Sequence, residues 1–181
     1  MQASRHFTVA RWPTSLTVSS LLGTFLLVGI GIASYRAIPV PTGFTHSFGL
    51  AITLVLPVLL VFSLFSTVTG YVVSSTDLTI QRLFWASHIS LGGLHRVFPD
   101  PSVCKGARRI IGNAGLFGFT GLYQSAQLGR FRLFATDLRH SVVLVLPDRT
   151  VVITPAAPEA FAAHIHHVLP GTITEPPGNV V

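Results

Sequence analysis

Residues 16–35, LTVSSLLGTFLLVGIGIASY, form an apolar stretch without a single charged side chain, and the architecture follows from it. A second uncharged stretch covers residues 37–76, so that Arg36 alone separates the two. Hydrocarbon excludes charged side chains and offers no water to an exposed backbone, so uncharged runs of this length are typical of membrane-spanning helices. We therefore predict two transmembrane helices, at about residues 16–35 and 48–68, joined by a short loop.

The two stretches contain features that bear on helix packing. Pro57 lies in the middle of the second predicted helix, where it removes a backbone hydrogen bond and is expected to kink the helix. Ser19 and Gly23 in the first helix are small and four residues apart, a spacing that lets neighbouring backbones approach closely. Glycine is also common in membrane helices without such a role, so both interpretations stay open.

An alternative interpretation of the first stretch is a cleaved signal peptide. Arg5 and Arg11 precede the stretch, and the small residues Ala33 and Ser34 close it, as in such peptides. Its length argues against cleavage, because the apolar part of a signal peptide has roughly 7 to 15 residues. We therefore favour a retained membrane-spanning helix.

Basic residues beside the predicted helices indicate their orientation in the membrane. Arg5 and Arg11 lie before the first helix, whereas the loop between the helices has Arg36 alone. Cytoplasmic segments carry the excess of Lys and Arg. Both termini, including the N-terminal segment of residues 1–15, are therefore predicted to be cytoplasmic in a protein that crosses the cell membrane twice.

The chain from residue 77 onward has the composition of a small folded domain. It contains nine of the twelve Lys and Arg residues and all six acidic residues, which gives it a net charge of +3. This mild basicity suits an anionic lipid surface and is weak evidence for nucleic acid, so no nucleic-acid partner is expected. Cys104 is the only cysteine, which excludes an intrachain disulfide and a CxxC metal site.

Short β-type segments separated by turns follow the apolar stretches. A hairpin is predicted over residues 71–84, with its turn at residues 74–77. Six or seven strands are expected in all, forming a small barrel or bent sheet. The later strands are predicted near residues 88–91, 108–111, 130–136, 141–146 and 150–154.

The periodicity of the sequence changes at Pro158. Phe161 and Ile165 recur at helical spacing, and a proline is typical of a helix start. One amphipathic helix is therefore predicted up to Leu169, with Phe161 and Ile165 packed against the strands. The polar tail, residues 170–181, is predicted to be disordered.

Four motifs in this region resemble those of one protein family. They are YVVSSTDLTIQRLF from Tyr71, GNAGLFGFTG from Gly112, GRFRLFATD from Gly129 and ITPAAPEAF from Ile153. The segment of residues 70–169 resembles the bacterial pleckstrin-homology-like (PH-like) domains that follow pairs of membrane helices. The resemblance implies a membrane-anchored α+β protein, in which a two-helix transmembrane hairpin precedes a partly open PH-like β-barrel capped by a C-terminal helix. It also implies binding rather than catalysis, and no cofactor.

The resemblance does not extend to the ligand site of the eukaryotic relatives. Those that bind inositol phosphates place clustered Lys and Arg side chains around the first hairpin loop. Here that loop is Ser74, Ser75, Thr76 and Asp77, so phosphoinositide recognition at this position is not expected.

Four glycines recur every third residue between Gly112 and Gly121, with Phe117 and Phe119 among them. No Gly-Lys-Ser or Gly-Lys-Thr follows, so a nucleotide-phosphate loop is excluded. One interpretation is a loop that places Phe117 and Phe119 in the membrane interface or in a partner's groove. The other, which we favour, is a loop whose glycines adopt positive φ while its aromatic side chains fold onto the domain's own core.

Five basic residues are candidates for a lipid-binding or partner-binding surface. Arg130 and Arg132 are two apart in a predicted strand, so they share one face, while Phe131 and Leu133 occupy the other. The other three candidates lie at or before a predicted neighbouring strand: Lys105, Arg108 and Arg109. Basic side chains close to an anionic leaflet contribute about 1 kcal/mol each, enough to orient a domain that two helices already anchor. The alternative is an ordinary solvated sheet face.

Candidates for metal binding and catalysis are few. His164 and His167 share one face of the last predicted helix, but zinc requires three or four ligands, so no metal site is expected. Asp137, His140 and Ser141 include the residue types of a catalytic triad, yet they lie in one turn instead of converging from separate elements. No enzymatic activity is therefore expected.

These observations favour a non-enzymatic binding or scaffolding module at the cytoplasmic face of the membrane. Its expected partners are membrane lipids and a membrane or cytoplasmic protein. Two alternatives stay open: recognition of anionic lipid headgroups through the basic sheet face, and an accessory subunit of a membrane enzyme or transporter. The absence of ionisable side chains within either predicted span argues against a transport pathway in this chain alone.

Overall fold

The computed structural model describes residues 4–37 and 44–173, and three helices, one 3-10 turn and ten strands lie in these ranges. The helices are α1 (Thr14–Ala37), α2 (Phe44–Phe65) and α3 (Pro158–Val168), and the 3-10 turn is Leu138–His140. The strands are β1 (Arg5–Thr8), β2 (Val68–Val73), β3 (Asp77–Arg82), β4 (Ala86–Ser90), β5 (Arg96–Pro99), β6 (Arg108–Ala114), β7 (Phe119–Ser125), β8 (Gly129–Ala135), β9 (Val142–Val145) and β10 (Thr150–Ile153).

One of the described helices is long and apolar enough to cross a membrane. It is α1, over the stretch Thr14–Arg36. In α2 the described apolar part, Gly49–Phe65, is shorter. The predicted end of the second span at Val68 is wrong, because the helix ends at Phe65 and Val68 begins β2. The second crossing itself stays a prediction.

The connection between the two helices is shorter than expected. α1 continues to Ala37, so Arg36 lies in the first helix and not in the loop. α2 begins at Phe44, and the rest of the predicted loop, residues 38–43, lies outside the described residues. Pro57 lies inside α2, as its position in the apolar stretch predicts.

The first sheet consists of β1, β2, β3 and β4 in that order, with antiparallel neighbours. The predicted hairpin is confirmed, since Val73 pairs with Leu78 across the turn. β1 is not among the predicted strands, because the sequence analysis expects only an N-terminal segment before the first helix. Its residue Thr8 pairs with Gly70, so the chain before α1 and the chain after α2 share one sheet.

The second sheet has the strand order β5-β9-β10-β8-β7-β6. Its neighbours are antiparallel except for β8 and β10, which run parallel with Phe131 opposite Thr150. The sequence patterns miss β5 and β7 and assign the glycine-rich segment to a loop, whereas β6 continues to Ala114 and β7 begins at Phe119. Glycine has a low strand propensity, and the glycine-rich segment includes the end of β6, with Gly112, and the start of β7, with Gly121, so these parts of the strands resemble a loop.

The main core lies between the two sheets, and α3 packs onto it. Tyr71 of the first sheet and Ile153 of the second are fully buried. α3 adds Phe161 and Ile165, both without exposed surface, which confirms the predicted apolar face of this helix. The Phe161 ring lies edge-on to the ring of Phe7 with centroids 5.0 Å apart, so β1 also contributes to the core.

A second apolar cluster covers the outer face of the second sheet. Phe131 and Leu133 of β8 belong to this cluster and are buried, whereas Arg130 and Arg132 of the same strand are exposed. The predicted alternation along this strand is therefore confirmed. Val103, from the segment between β5 and β6, packs into the same cluster, so this segment covers the outer face of the sheet.

The chain after α3 returns to the second sheet. The Ile173 N–H donates to the His95 carbonyl at 3.0 Å, and the Val97 N–H donates to the Ile173 carbonyl at 2.9 Å. Thr172 is buried. The predicted disorder is therefore wrong for residues 170–173, because backbone hydrogen bonds hold this segment, while residues 174–181 lie outside the described residues.

Candidate functional site

The predicted basic residues lie on β6, on β8 and in the turn before β6. Arg108 and Arg130 lie opposite Gln124 from its two sides, so the three residues form one row across the sheet. We name this row, Arg108, Gln124 and Arg130, the basic row. Lys105 lies in the turn that leads into β6 and is exposed, as are both arginines of the row.

Arg132 lies on the same face of β8 as Arg130, two residues further along. Next on this face is Phe134, which is buried in the core between the sheets, so the face turns inward along the strand. Arg109 lies apart from the row, because β6 is bulged just beyond it and it pairs with Tyr123. The side chain of this pairing partner, Tyr123, is buried, and burial raises the pKa of its phenol to about 12. The structure therefore brings Arg108 and Arg130 together in the basic row, and a common binding surface of all five basic residues stays a prediction.

The two aromatic candidates have different surroundings. Phe119 is half-buried in β7 and packs against the second apolar cluster. Phe117 has a φ of 61°, in the left-handed region, and its ring centroid is 6.2 Å from that of Trp12. The Phe117 N–H donates to the Ser20 hydroxyl of α1 at 2.9 Å. Phe119 thus folds onto the domain, whereas Phe117 packs against α1 and the segment before it.

The loop between β6 and β7 is attached to α1. The Ser19 hydroxyl donates to the Gly115 carbonyl at 2.8 Å. A Cβ at Gly23 would lie 3.0 Å from the Leu116 Cδ1, so the glycine leaves room for this side chain. The small residues Ser19 and Gly23 therefore permit a close approach, and the element that approaches them is this loop.

A cleft of about 810 Å³ opens where the two sheets meet the two apolar helices. We name it the interfacial cleft, and its walls include Leu27, Phe62, Arg82, Leu122, Arg132 and Phe134. Its volume lies within the range of roughly 300 to 1,000 Å³ that is usual for ligand pockets. Among the described residues that line it there is no Asp or Glu, and Arg109 and Arg149 are its other charged residues.

Arg82 is a functional candidate that the sequence patterns missed. It follows Leu78 and Ile80 on the inward face of β3, where an apolar residue is expected. Its guanidinium lies over the Trp85 ring at 5.6 Å and over the Phe134 ring at 5.1 Å. The Arg82 Nε is buried and has no hydrogen-bond partner among the described residues, and burial lowers the pKa of this guanidinium. The alternation that includes Leu78 and Ile80 is the signal by which it can be found.

Large apolar side chains are exposed beside the end of α2. The turn between β3 and β4 presents Leu83, Phe84 and Trp85 to solvent. The rings of Phe84 and Phe65 have centroids 4.3 Å apart, and those of Trp85 and Phe62 are 6.4 Å apart. The turn and the helix therefore form one apolar surface, and aromatic side chains in such a position are typical of the membrane–water interface.

The triad residue types around Asp137 have structural roles. Asp137 caps the 3-10 turn and pairs with Arg139, whose guanidinium donates to Oδ2 at 2.7 Å. The hydrogen bonds from Arg139 hold the pKa of the Asp137 carboxyl below its usual value. The Ser141 hydroxyl donates to the Leu138 carbonyl and not to His140, so the three residues are not arranged for nucleophilic catalysis.

Two of the histidines of α3 have local contacts. The His166 Nδ1 lies 2.9 Å from the Thr172 carbonyl oxygen. His164 packs against Phe7 with ring centroids 5.5 Å apart, and burial lowers the pKa of this histidine. In the part of the chain that the structure describes, no three His, Cys, Asp or Glu side chains come together in a group that could hold a metal ion.

The β domain matches a known family. A family model described as "Bacterial PH domain" matches residues 69–169, which run from β2 to just beyond α3. No curated protein and no solved structure matches the chain. PH domains are generally binding modules without catalytic activity. Since the matched residues make up more than half of the chain, the protein belongs to the bacterial PH domain family.

Proposed function

We propose that the protein is a non-enzymatic binding module, which a hairpin of two transmembrane helices holds at the cytoplasmic face of the membrane. One observation carries the proposal: β1, which precedes α1, pairs with β2, which follows α2. Because both strands belong to one sheet, the chain leaves the domain and returns to the same side of the membrane. If α1 crosses the bilayer, α2 must therefore cross back.

The exposed surfaces of the two helices support their insertion. Phe25 is 74% exposed on α1, and Leu54 and Phe62 are 66% and 62% exposed on α2. Contiguous apolar surface of this kind is unfavourable in water and favourable in lipid. Arg5 and Arg11 lie on the side of the domain, and cytoplasmic segments carry the excess of basic residues, which supports a cytoplasmic position of the domain.

The attachment of the domain to α1 supports a scaffolding role. A scaffold needs a fixed orientation relative to the bilayer. The hydrogen bonds from Ser19 to Gly115 and from Phe117 to Ser20 tie the β6–β7 loop to the first helix. Held in this way, the domain offers its outer surfaces to a membrane or cytoplasmic protein partner.

Cysteine accessibility tests the topology. In a Cys104→Ser background, a single cysteine replaces either Thr42, between the helices, or Ala126, in the exposed turn between β7 and β8. An impermeant maleimide is expected to label Thr42→Cys in intact cells, and to label Ala126→Cys only after permeabilisation.

Other labelling patterns contradict the proposal. Labelling of Ala126→Cys in intact cells would reverse the orientation. Protection of both positions until permeabilisation would mean that the helices do not cross. Release of the protein from membranes by alkaline carbonate would contradict anchoring itself.

The basic row favours a related second function, in which the domain recognises the headgroups of an anionic leaflet. Arg108 and Arg130 are exposed on the two sides of Gln124. Basic side chains near an anionic leaflet contribute about 1 kcal/mol each. A fluorophore on Ala126→Cys should then be quenched by lipid-borne quenchers more strongly in anionic than in neutral liposomes. The difference should fall as salt rises, because salt screens exposed charges.

The matched variant for this second function is Arg108→Gln combined with Arg130→Gln. It should remove the difference between the two kinds of liposome. Equal quenching of the wild-type protein in both would contradict headgroup recognition by the basic row and leave the protein partner as the occupant of this face.

A further inference from the structure

Two inward-facing arginines, one from each sheet, line the interfacial cleft. Arg82 ends the inward row of β3, where its guanidinium lies 5.1 Å from the Phe134 ring. Arg132 lies on the inward face of β8, two residues before Phe134. Two residues on one face of a strand are about 7 Å apart.

None of the described residues that line the cleft is a carboxylate that could neutralise these charges. The Arg82 Nε is buried without a hydrogen-bond partner among the described residues, whereas Arg132 is exposed. Arg149 also lines the cleft, and with Asp148, its ion-pair partner at 2.9 Å, it lies beside Arg132 in a neighbouring recess. A desolvated donor without a partner is unfavourable, and guanidinium groups match the paired oxygens of phosphate and carboxylate. The cleft wall at Arg82 is therefore suited to an anionic group.

The cleft also has apolar walls, which the two helices contribute. Leu27 lines the cleft and also lines a groove of about 300 Å³ between α1 and α2. The groove passes Gly31, which has no side chain, and Pro57, and its other walls include Leu56 and Leu60. The cleft and a groove that suits hydrocarbon are therefore neighbours on the two sides of Leu27.

We propose that the interfacial cleft binds one membrane lipid with an anionic headgroup. The phosphate or carboxylate of the lipid lies between Arg82 and Arg132, and a hydrocarbon chain passes Leu27 into the groove between the helices. The inference rests on the proposed function, since a lipid enters from the side only if both helices lie in a bilayer. Binding in the cleft differs from headgroup recognition by the basic row. The cleft holds a single lipid molecule, whereas the basic row contacts many headgroups at the membrane surface.

Native mass spectrometry of the full chain tests the inference. The protein is reconstituted in nanodiscs that contain a neutral and an anionic phospholipid with identical acyl chains, and is then released with the lipids that remain bound. One anionic lipid per chain is expected to stay with the wild-type protein. Arg82→Gln combined with Arg132→Gln should weaken this retention by about thirtyfold, from the contribution of each charge near a headgroup.

Two further variants make the test specific. Arg11→Gln combined with Arg36→Gln removes the same charge from positions that do not line the cleft, and should retain the lipid as the wild type does. Leu27→Trp keeps every charge but fills the passage to the groove, and it should lose the lipid. Thermal unfolding of each variant in lipid-free detergent shows that the fold is intact.

Several outcomes would overturn the inference. Wild-type protein without a retained anionic lipid would do so, as would an arginine variant that retains as much lipid as the control. Displacement of the lipid by excess inorganic phosphate would identify a soluble anion as the occupant, and retention of the lipid by Leu27→Trp would show that no hydrocarbon chain passes Leu27. A cysteine-labelling pattern that contradicts the proposed topology would overturn the proposed function. The expected labelling pattern without a bound lipid would overturn this inference alone.

Discussion

The backbone N–H of Thr154 donates a 3.1 Å hydrogen bond to the phenol oxygen of Tyr71 and so joins the second sheet to the first. The same phenol donates to the Phe134 carbonyl at 2.7 Å. Tyr71 has no exposed surface, and burial raises its pKa to about 12. One hydroxyl therefore satisfies two backbone groups inside the core.

Removal of this hydroxyl is expected to destabilise the domain. Tyr71→Phe leaves the Thr154 N–H and the Phe134 carbonyl buried without their partner, at a cost of about 1 to 3 kcal/mol. The thermal midpoint of the full chain in mild detergent should fall by roughly 4 to 8 °C for each kcal/mol. Tyr35→Phe, at an exposed position near the end of α1, is the control and should leave the midpoint unchanged. Equal midpoints for the two variants would contradict a role for the hydroxyl.

The Asp137 carboxylate predicts a loss of stability in acid. Arg139 lowers its pKa in the folded state, so this stabilisation is complete above the unfolded pKa of about 3.9 and is lost as the pH falls through the folded value. Asp137→Asn should be less stable than the wild type near neutral pH by about 1 to 3 kcal/mol. The difference should shrink below about pH 4.

Thermal midpoints measured across this pH range check the prediction. Asp148→Asn is the control, since Asp148 forms an exposed pair with Arg149 that is worth at most about 1 kcal/mol. A difference between wild type and Asp137→Asn that does not change with pH would contradict the assignment to the carboxylate charge.

The ring of Phe161 is expected to contribute strongly to stability. It is fully buried, and its centroid lies 5.0 Å from that of Phe7 and 6.5 Å from that of Tyr71. Phe161→Ala should therefore destabilise the domain by about 3 to 5 kcal/mol, as for other buried aromatic residues. His167→Ala, on the exposed side of the same helix, should have little effect on thermal unfolding. A loss below about 1 kcal/mol would show that the ring lies outside the core.

Gly112 and Gly121 allow β6 and β7 to lie close together. They pair with each other and have φ values of 124° and 139°, which side chains rarely adopt. A Cβ at Gly112 would overlap the Thr120 carbonyl oxygen and would lie 2.7 Å from the Gly121 Cα. Gly112→Ala should therefore cost at least about 1 to 3 kcal/mol. Gly171→Ala, in open space, is the matched control, and an equal thermal midpoint for both variants would contradict the steric argument.

The elements that could be predicted from the sequence are those with a local signal. α3 repeats Phe161 and Ile165 at helical spacing, and the first hairpin alternates around its turn. β1 has no such signal, because its partner lies beyond both helices and only tertiary structure decides the pairing. β7 is hard to predict for another reason, since its first residues belong to the glycine-rich segment 112–121, which resembles a loop.

The candidate site could be predicted only in part. Arg130 and Arg132 alternate with buried residues, so their common face is visible in the sequence. The sequence does not reveal that Arg108 meets Arg130 across Gln124, because strand register depends on the whole sheet. Arg82 continues the alternation of Leu78 and Ile80, but a basic residue near a turn is normally solvated, and its contact with the Phe134 ring depends on how the two sheets pack.

The pairing of β1 with β2 also has a consequence for biosynthesis. β1 is synthesised before α1 and α2, yet its partner β2 follows both helices, so β1 is made early and paired late. Closing a long loop costs entropy, and that cost falls if α1 and α2 have already formed a hairpin that brings Thr8 near Gly70. If both helices cross the bilayer as proposed, a chain whose second helix failed to return would keep the two strands apart and leave a strand edge unpaired. Completion of the first sheet would then serve as a check on membrane insertion during assembly.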